Sequence, residues 1–268
     1  MDWCGINNIH KFNNKQYNLI VEVINLNIIL QKFGGISLEN TNKLFLVCKH
    51  IISEIKKGNK VVVVASAQGD TTDDLIKEEK EITECANKRE HDVLVSTGEQ
   101  VAIAKLAMCL ESLGYKAKSY LGWQLPIITN SDYSNAKIEE IKIDKILNDL
   151  ENNYVVIVAG FQGVDKDNNI TTLGRGGSDT TAIALASKLK VKECILFKDV
   201  DGIYSLDPNK YKNAIKYNKI SYDKMLELAN NGACVLHNKC IKIAKDNLLK
   251  IVVKKAFSDN SIGTIVGG

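Results

Sequence analysis

Along this chain, short apolar runs rich in β-branched residues alternate with segments whose apolar residues recur at helical spacing. Residues 28–33 (Ile-Ile-Leu-Gln-Lys-Phe) form a buried strand that stops at Gly34-Gly35. Residues 41–57 place Leu44, Val47, Cys48, Ile51, Ile52 and Ile55 on one helical face, and Gly58 ends the pattern. The run Val61-Val62-Val63-Val64 predicts a strand covered on both faces, and it opens into the polar loop 66–73, which leads into a further helix. Beyond it the pattern predicts a helix over 99–113, short strands over 115–120 and 125–129, a helix near 141–150 and a strand over 155–159 within an apolar run from 154 to 163. A helix over 179–189, a strand over 193–197, helices over 222–229 and 241–247, and a strand over 250–253 complete the series. Strands alternating with helices imply a mostly parallel sheet flanked by helices. In such sheets ligands collect at the carboxyl ends of the strands. Three glycine-containing polar loops follow apolar strands here: 32–37, 66–73 and 174–179. Residues 1–26, rich in Asn and without sustained periodicity, read as an irregular N-terminal extension.

Composition narrows the class. With 268 residues, 45% hydrophobic and 25% charged, the chain is sized and composed as one globular domain. Thirty-five basic against 32 acidic side chains leave a formal charge of +3, which gives no electrostatic reason to expect nucleic acid or an anionic membrane as partner. Seven scattered cysteines without a C-x-x-C pair read as reduced thiols of a cytoplasmic protein, and the four histidines form no ligand cluster. The apolar stretch 17–30 is interrupted by Glu22 and several asparagines and is too short to span a bilayer.

The loops carry the chemistry. In 171–186 (TTLGRGGSDTTAIALA), Gly174, Gly176 and Gly177 allow left-handed backbone and a concavity of N–H groups before a helix N-terminus, a setting for an anion. Arg175 offers a planar fork for carboxylate or phosphate oxygens, and Asp179 beside it points to phosphoryl transfer with a metal; the alternative is a tight loop capped by Ser178. Lys32 either neutralises phosphate charge beside the bare amides of Gly34 and Gly35 or is a surface lysine before a turn. Ser66 and Thr72 either bind a small polar substrate or cap the next helix, with spacing favouring the cap. Glu99 is either a first-turn acid favoured by the dipole or a partner for a substrate ammonium. Asp199 and Asp201 either hold Mg²⁺ or serve turn geometry. Neither the P-loop nor the dinucleotide glycine signature is present.

Taken together, these segments resemble the catalytic domain of aspartate kinases, within the amino acid kinase family. The resemblance rests on Lys32-Phe33-Gly34-Gly35-Ile36-Ser37, on 66–73 (SAQGDTTD), on Ser96-Thr97-Gly98-Glu99-Gln100, and on Gly122-Trp123-Gln124. Gly160-Phe161-Gln162-Gly163 with 171–179, Asp199-Val200-Asp201-Gly202-Ile203-Tyr204, and Gly232-Ala233 with Val235-Leu236-His237 continue it in order, covering about residues 28–266. It implies a three-layer α/β/α sandwich and a reaction of ATP, with Mg²⁺, and L-aspartate giving 4-phospho-L-aspartate, the first step toward lysine, threonine and methionine. By the resemblance, Lys32 neutralises the transferring phosphoryl group, with Gly34 and Gly35 donating amides. Arg175 clamps the α-carboxylate, Glu99 pairs with the ammonium, and Thr72 and Ser178 belong to the substrate side. Asp179 lies where the reactants meet and organises Lys32 and Mg²⁺; Asp199 and Tyr204 lie by the nucleotide. No protein metal ligand is assigned.

The departures fall on the nucleotide side. Asn209 stands where the family usually has Arg, Cys234 where it has Lys, and Lys198 where it has Thr. Two cationic contacts to ATP are thereby missing, and Lys198 or Lys210 is a replacement for one. This leaves two alternatives: a weak aspartate-binding or regulatory protein with a degraded ATP site, or a kinase of the same fold for another amino acid. The catalytic domain is expected over 27–268 without the family's C-terminal ACT regulatory domains, in a homo-oligomer or beside a separate regulatory subunit.

Overall fold

The computed structural model describes residues 26–208, 210–232, 235–257 and 262–267. Asn209, Cys234 and all of the N-terminal extension except Leu26 lie outside the described residues. Eight strands form the central sheet: β1 (Ile28–Phe33), β2 (Lys60–Ala65), β3 (Ala117–Tyr120), β6 (Val155–Ala159), β9 (Glu193–Lys198), β12 (Lys219–Ile220), β13 (Lys250–Lys255) and β14 (Thr264–Val266). Their order is β12-β14-β13-β9-β1-β2-β6-β3, and every neighbouring pair is parallel except β13 with β14. A second sheet, β5-β4-β7-β8, combines β4 (Ile127–Thr129), β5 (Ile138–Ile141), β7 (Gln162–Val164) and β8 (Ile170–Thr172). A two-stranded ribbon pairs β10 (Ile203–Tyr204) with β11 (Lys216–Tyr217).

Strand alternation splits the apolar side chains into two cores, one on each face of the central sheet. Val61, Val63 and Ala65 of β2 face α2 (Thr41–Lys56) and α5 (Thr97–Ser112). Val62 and Val64 face the other core, built with α6 (Asp144–Glu151), α7 (Gly177–Lys188), α8 (Tyr222–Asn230) and α9 (Asn238–Asp246). This is the expected α/β/α sandwich, and the four-valine run is buried on both sides as predicted. The remaining helices are the single turn α1 (Gly35–Leu38), α3 (Thr71–Ile82) and α4 (Lys88–Val95). By length and composition the helical stretch Lys88–Ser112 could cross a membrane. It lies instead as two core helices, α4 and α5, with Asp92 and Glu99 on the inward face.

Several boundaries differ for local reasons. The apolar run 154–163 is two strands in two sheets, because Phe161 takes φ 69° and turns the chain between them. The helix expected near 141 begins at Asp144, since Ile141 pairs with Ile127 in the second sheet. Neither Ser66 nor Thr72 caps α3: its N-cap is Asp70, and Thr71 Oγ1 donates to the Gln68 carbonyl. Nor does Ser178 cap α7; Gly176 takes that position with φ 72°, in the left-handed region that glycine was expected to supply, and Ser178 sits inside the first turn.

Candidate active site

The ends of β1 and β2 and the N-termini of α3, α5 and α7 surround a cavity of about 600 Å³. Its wall includes Lys32, Thr72, Glu99, Arg175, Ser178 and Asp179, so one site gathers six of the expected residues from 148 positions of sequence. Gly35 lines it as well, packed so tightly that a Cβ would lie 2.8 Å from the carbonyl oxygens of both Ala67 and Gly69. That contact requires glycine and holds the loop after β1 against the loop after β2.

At one end stands Glu99, in the first turn of α5 and only 3% exposed. Ala67 N–H donates to its Oε1 at 3.0 Å, whereas Oε2 is buried with no hydrogen-bond partner among the described residues. Burial pushes the Glu99 carboxyl up to about 7, against the downward pull of the Ala67 amide and the Lys32 charge. Arg175 is exposed on the left-handed turn between Gly174 (φ 73°) and Gly176. Among the described residues its guanidinium has no ion-pair partner.

Elsewhere in the cavity lies a three-member charge cluster. Lys32 Nζ lies 2.8 Å from Asp179 Oδ1, an ion pair outside hydrogen-bond alignment, and Lys198 Nζ lies 2.5 Å from Oδ2. Burial raises the Asp179 carboxyl, but the Lys32 and Lys198 charges outweigh it and hold it below the ordinary carboxylate range. Asp179 is therefore ionised throughout the neutral range.

The expected nucleotide residues are less well gathered. Gly34 adjoins the cluster, its Cβ position lying 3.7 Å from Lys32 Nζ. Asp199 is exposed, Tyr204 donates its hydroxyl to Asp201 at 2.9 Å, and Lys210 lies 3.7 Å from Asp207 with three quarters of its side chain in solvent. None of these three lines the cavity. Asp201 is also bound by Lys216 Nζ at 2.9 Å, which fits the turn reading of this acid.

Sequence reasoning missed Asp92, which is fully buried in α4. It accepts four hydrogen bonds: from Ser134 N–H (2.9 Å) and Oγ (3.0 Å), and from Thr172 N–H (2.7 Å) and Oγ1 (2.8 Å). The carboxylate thereby ties together two segments beside the Arg175 turn, since a Cβ on Gly174 would come 2.8 Å from the Ser134 carbonyl. A usable signal existed: Asp92, Val95, Ser96 and Glu99 share helical spacing, a buried stripe that carries two acids. His91 adds a clamp, its Nδ1 lying 2.5 Å from Glu79 Oε2 and joining α4 to α3, a helix with no buried residue.

A cleft at the strand ends with glycine backbone, an enclosed acid and two lysines paired to one aspartate suits phosphoryl transfer, and the family comparison decides the lineage. Residues 27–255 match the model of the amino acid kinase family. The chain belongs to the amino acid kinase family. It is 49% identical over 241 residues to an aspartokinase of Geobacillus stearothermophilus, covering 90% of this chain and 59% of that protein. Among solved structures, aspartate kinase from Synechocystis superposes with a TM-score of 0.81 at 39% identity, over 90% of this chain and 40% of that one. E. coli aspartokinase III in complex with aspartate and ADP shares the fold, with a TM-score of 0.80 at 24% identity over 90% of this chain and 64% of that one. This family member thus spans about three fifths of the length of the curated relative it matches.

Proposed function

We propose that this chain transfers the γ-phosphoryl group of ATP to the β-carboxylate of L-aspartate, giving 4-phospho-L-aspartate and ADP. The observation that carries this reading is the enclosed, unpartnered Glu99 Oε2 in the same cavity as Arg175 and the Lys32–Asp179 pair. An acid and a guanidinium are the complement of an α-amino acid head group, while lysine and bare amides are the complement of a phosphoryl group. Glu99 holds the ammonium, Arg175 the α-carboxylate, and Thr72 and Ser178 fill the space between. The attacking carboxylate is already ionised at neutral pH, so the site has no proton to remove. Its task is to align two anions and cancel their repulsion. Lys32 and the Gly34 and Gly35 amides meet the transferring group. The aspartokinase names of the relatives support aspartate as the acceptor.

Mg²⁺ fits this site as an ion carried on the nucleotide phosphates. Among the described residues no three His, Cys, Asp or Glu side chains cluster as a cage, and Mg²⁺ commonly keeps several waters and one or two carboxylates. Both oxygens of Asp179 are taken by Lys32 and Lys198, so this carboxylate would stand beside the ion, and the ion, when bound, would supply neutralisation of phosphate charge. We assign the catalytic unit to 27–268, working in the cytoplasm with its cysteines reduced, as a homo-oligomer or beside a regulatory subunit; Asp199, Tyr204 and Lys210 serve the nucleotide from outside the cavity.

The test is coupled detection of ADP across a panel of acceptors. Release that depends on both L-aspartate and Mg-ATP, and that falls about a hundredfold or more in Lys32→Ala, is expected. Folded protein that shows no aspartate-dependent turnover at saturating ATP would refute the assignment.

A further inference from the structure

We propose that Lys198 is a second catalytic cation, which meets the transferring phosphoryl group from the side opposite the amino-acid head group. This rests on the phosphoryl-transfer reading above and adds a residue to it.

The placement follows from strand geometry. β1 and β9 are parallel neighbours, with Lys32 beside Leu196 in the register. Side chains alternate along a strand, and Leu30, Cys194 and Leu196 all pack into the core on the α7 face. Lys32 and Lys198 follow in the same phase, so both emerge on that face, at the strand ends, where the first turn of α7 presents Asp179. One carboxylate then holds two ammonium groups, Lys32 through Oδ1 and Lys198 through Oδ2.

Charge counting shows what this arrangement lacks. A single lysine neutralises Asp179; the second leaves one positive charge in excess on a wall whose side chains are 7% (Lys32), 6% (Asp179) and 18% (Lys198) exposed. Glu99, whose carboxyl is half protonated near neutrality, does not cancel it in full. Excess charge withdrawn from water is costly unless an anion completes it. Lys198 is the more exposed of the two lysines and lines the cavity. The backbone between them is open: a Cβ on Gly34 would lie 3.7 Å from both Lys32 Nζ and the Phe197 carbonyl oxygen. Two ammonium groups beside a glycine form a cradle for a phosphoryl group.

Sheet order gives the direction. Across the strand ends the order is β9 with Lys198, β1 with Lys32, then β2, whose trailing loop binds Glu99 through the Ala67 amide two residues past the strand. The acceptor therefore lies on the Lys32 side and the leaving group on the Lys198 side. As an acceptor carboxylate oxygen forms its bond to the γ-phosphorus, the bond from that phosphorus to the β,γ-bridging oxygen breaks. The electron pair of that bond leaves on ADP, and no proton moves. Lys198 meets the charge gathering on the equatorial and bridging oxygens, and Asp179 keeps the two lysines from spreading apart.

The test uses the full chain and the variants Lys198→Met and Lys198→Arg, each checked for folding by circular dichroism and thermal melting. Turnover is measured with ATP and L-aspartate varied separately, and calorimetry compares Mg-ATP with Mg-ADP. In Lys198→Met, kcat should fall about a hundredfold with the aspartate KM within about twofold, and Lys198→Arg should recover a large part of the loss. The preference for Mg-ATP over Mg-ADP should shrink in Lys198→Met, because the lost contact is to the γ-phosphate; a merely structural lysine would not move that ratio. Unchanged kcat with an unchanged ATP/ADP ratio would overturn the proposal, as would an equal loss for both nucleotides. If the wild-type chain binds Mg-ATP without phosphorylating aspartate, the acceptor assignment fails while the ATP/ADP ratio still decides Lys198. If it binds neither nucleotide, both fail.

Discussion

Glu99 offers the sharpest test of the site, because burial raises its carboxyl to about 7, into the range where kinase assays are run. Only the ionised form can pair with an ammonium. With a value of about 7, roughly 0.9 of the free protein carries the charge at pH 8 and roughly 0.1 at pH 6. Aspartate itself keeps its ammonium and its carboxylates ionised over this interval. The aspartate KM should therefore rise about tenfold from pH 8 to pH 6, while the ATP KM changes far less. Glu99→Gln keeps an oxygen for the Ala67 amide but cannot acquire charge, so its aspartate KM should be high and flat with pH. Stability carries the opposite signature. A carboxyl raised in the folded state loses folding energy as pH climbs from its unfolded value of 4.5 toward 7, and the loss is complete above that. The difference amounts to about 3 kcal/mol at pH 8 and vanishes near pH 4. Glu99→Gln should accordingly melt higher than wild type at pH 8 and no higher at pH 4. Steady-state kinetics from pH 6 to 8 and melting curves at both ends read the two effects. A flat aspartate KM in the wild type, or a Glu99→Gln variant with undiminished aspartate affinity, would refute the pairing.

Three further outcomes are expected. Asp92→Ala strips four donors, the two from Thr172 buried and the two from Ser134 partly so, of their acceptor and should cost about 3 kcal/mol by urea unfolding, with a raised aspartate KM as the Arg175 turn loosens. Gly176→Ala places a side chain in left-handed backbone, where its Cβ would come 2.9 Å from His237 Cβ, and should destabilise by about 1–2 kcal/mol or more. Buried Cys48, whose thiol is pushed up to about 12 by burial and by Cys109 beside it, should resist iodoacetamide in the native protein at pH 8, while exposed Cys85 reacts; mass spectrometry of the labelled chain reads both.

The sequence by itself determined the frame and named most of the charged side chains that line the cavity. Alternating apolar periods announce an α/β sheet because helix and strand geometry are local and repeat every few residues. The segments holding Lys32, Glu99, Arg175 and Asp179 are readable as candidates, since each sets charge near glycine at a strand end, in a loop or in a helix first turn, but residue by residue a turn or cap explains them as well. What pairs with what was decided only by the tertiary structure. Lys32 and Lys198 are far apart in the chain and meet on Asp179 because β1 and β9 happen to be neighbours in register. Asp92 looks like any helical acid until Ser134, from a distant turn, and Thr172, from β8, close around it. The same folding left Asp199, Tyr204 and Lys210 outside the cavity that gathers the other candidates. Local pattern fixes which face a side chain takes; strand order and loop packing, which are non-local, fix what stands opposite it. The raised acid of Glu99 belongs to that second kind, because desolvation depends on everything packed around it.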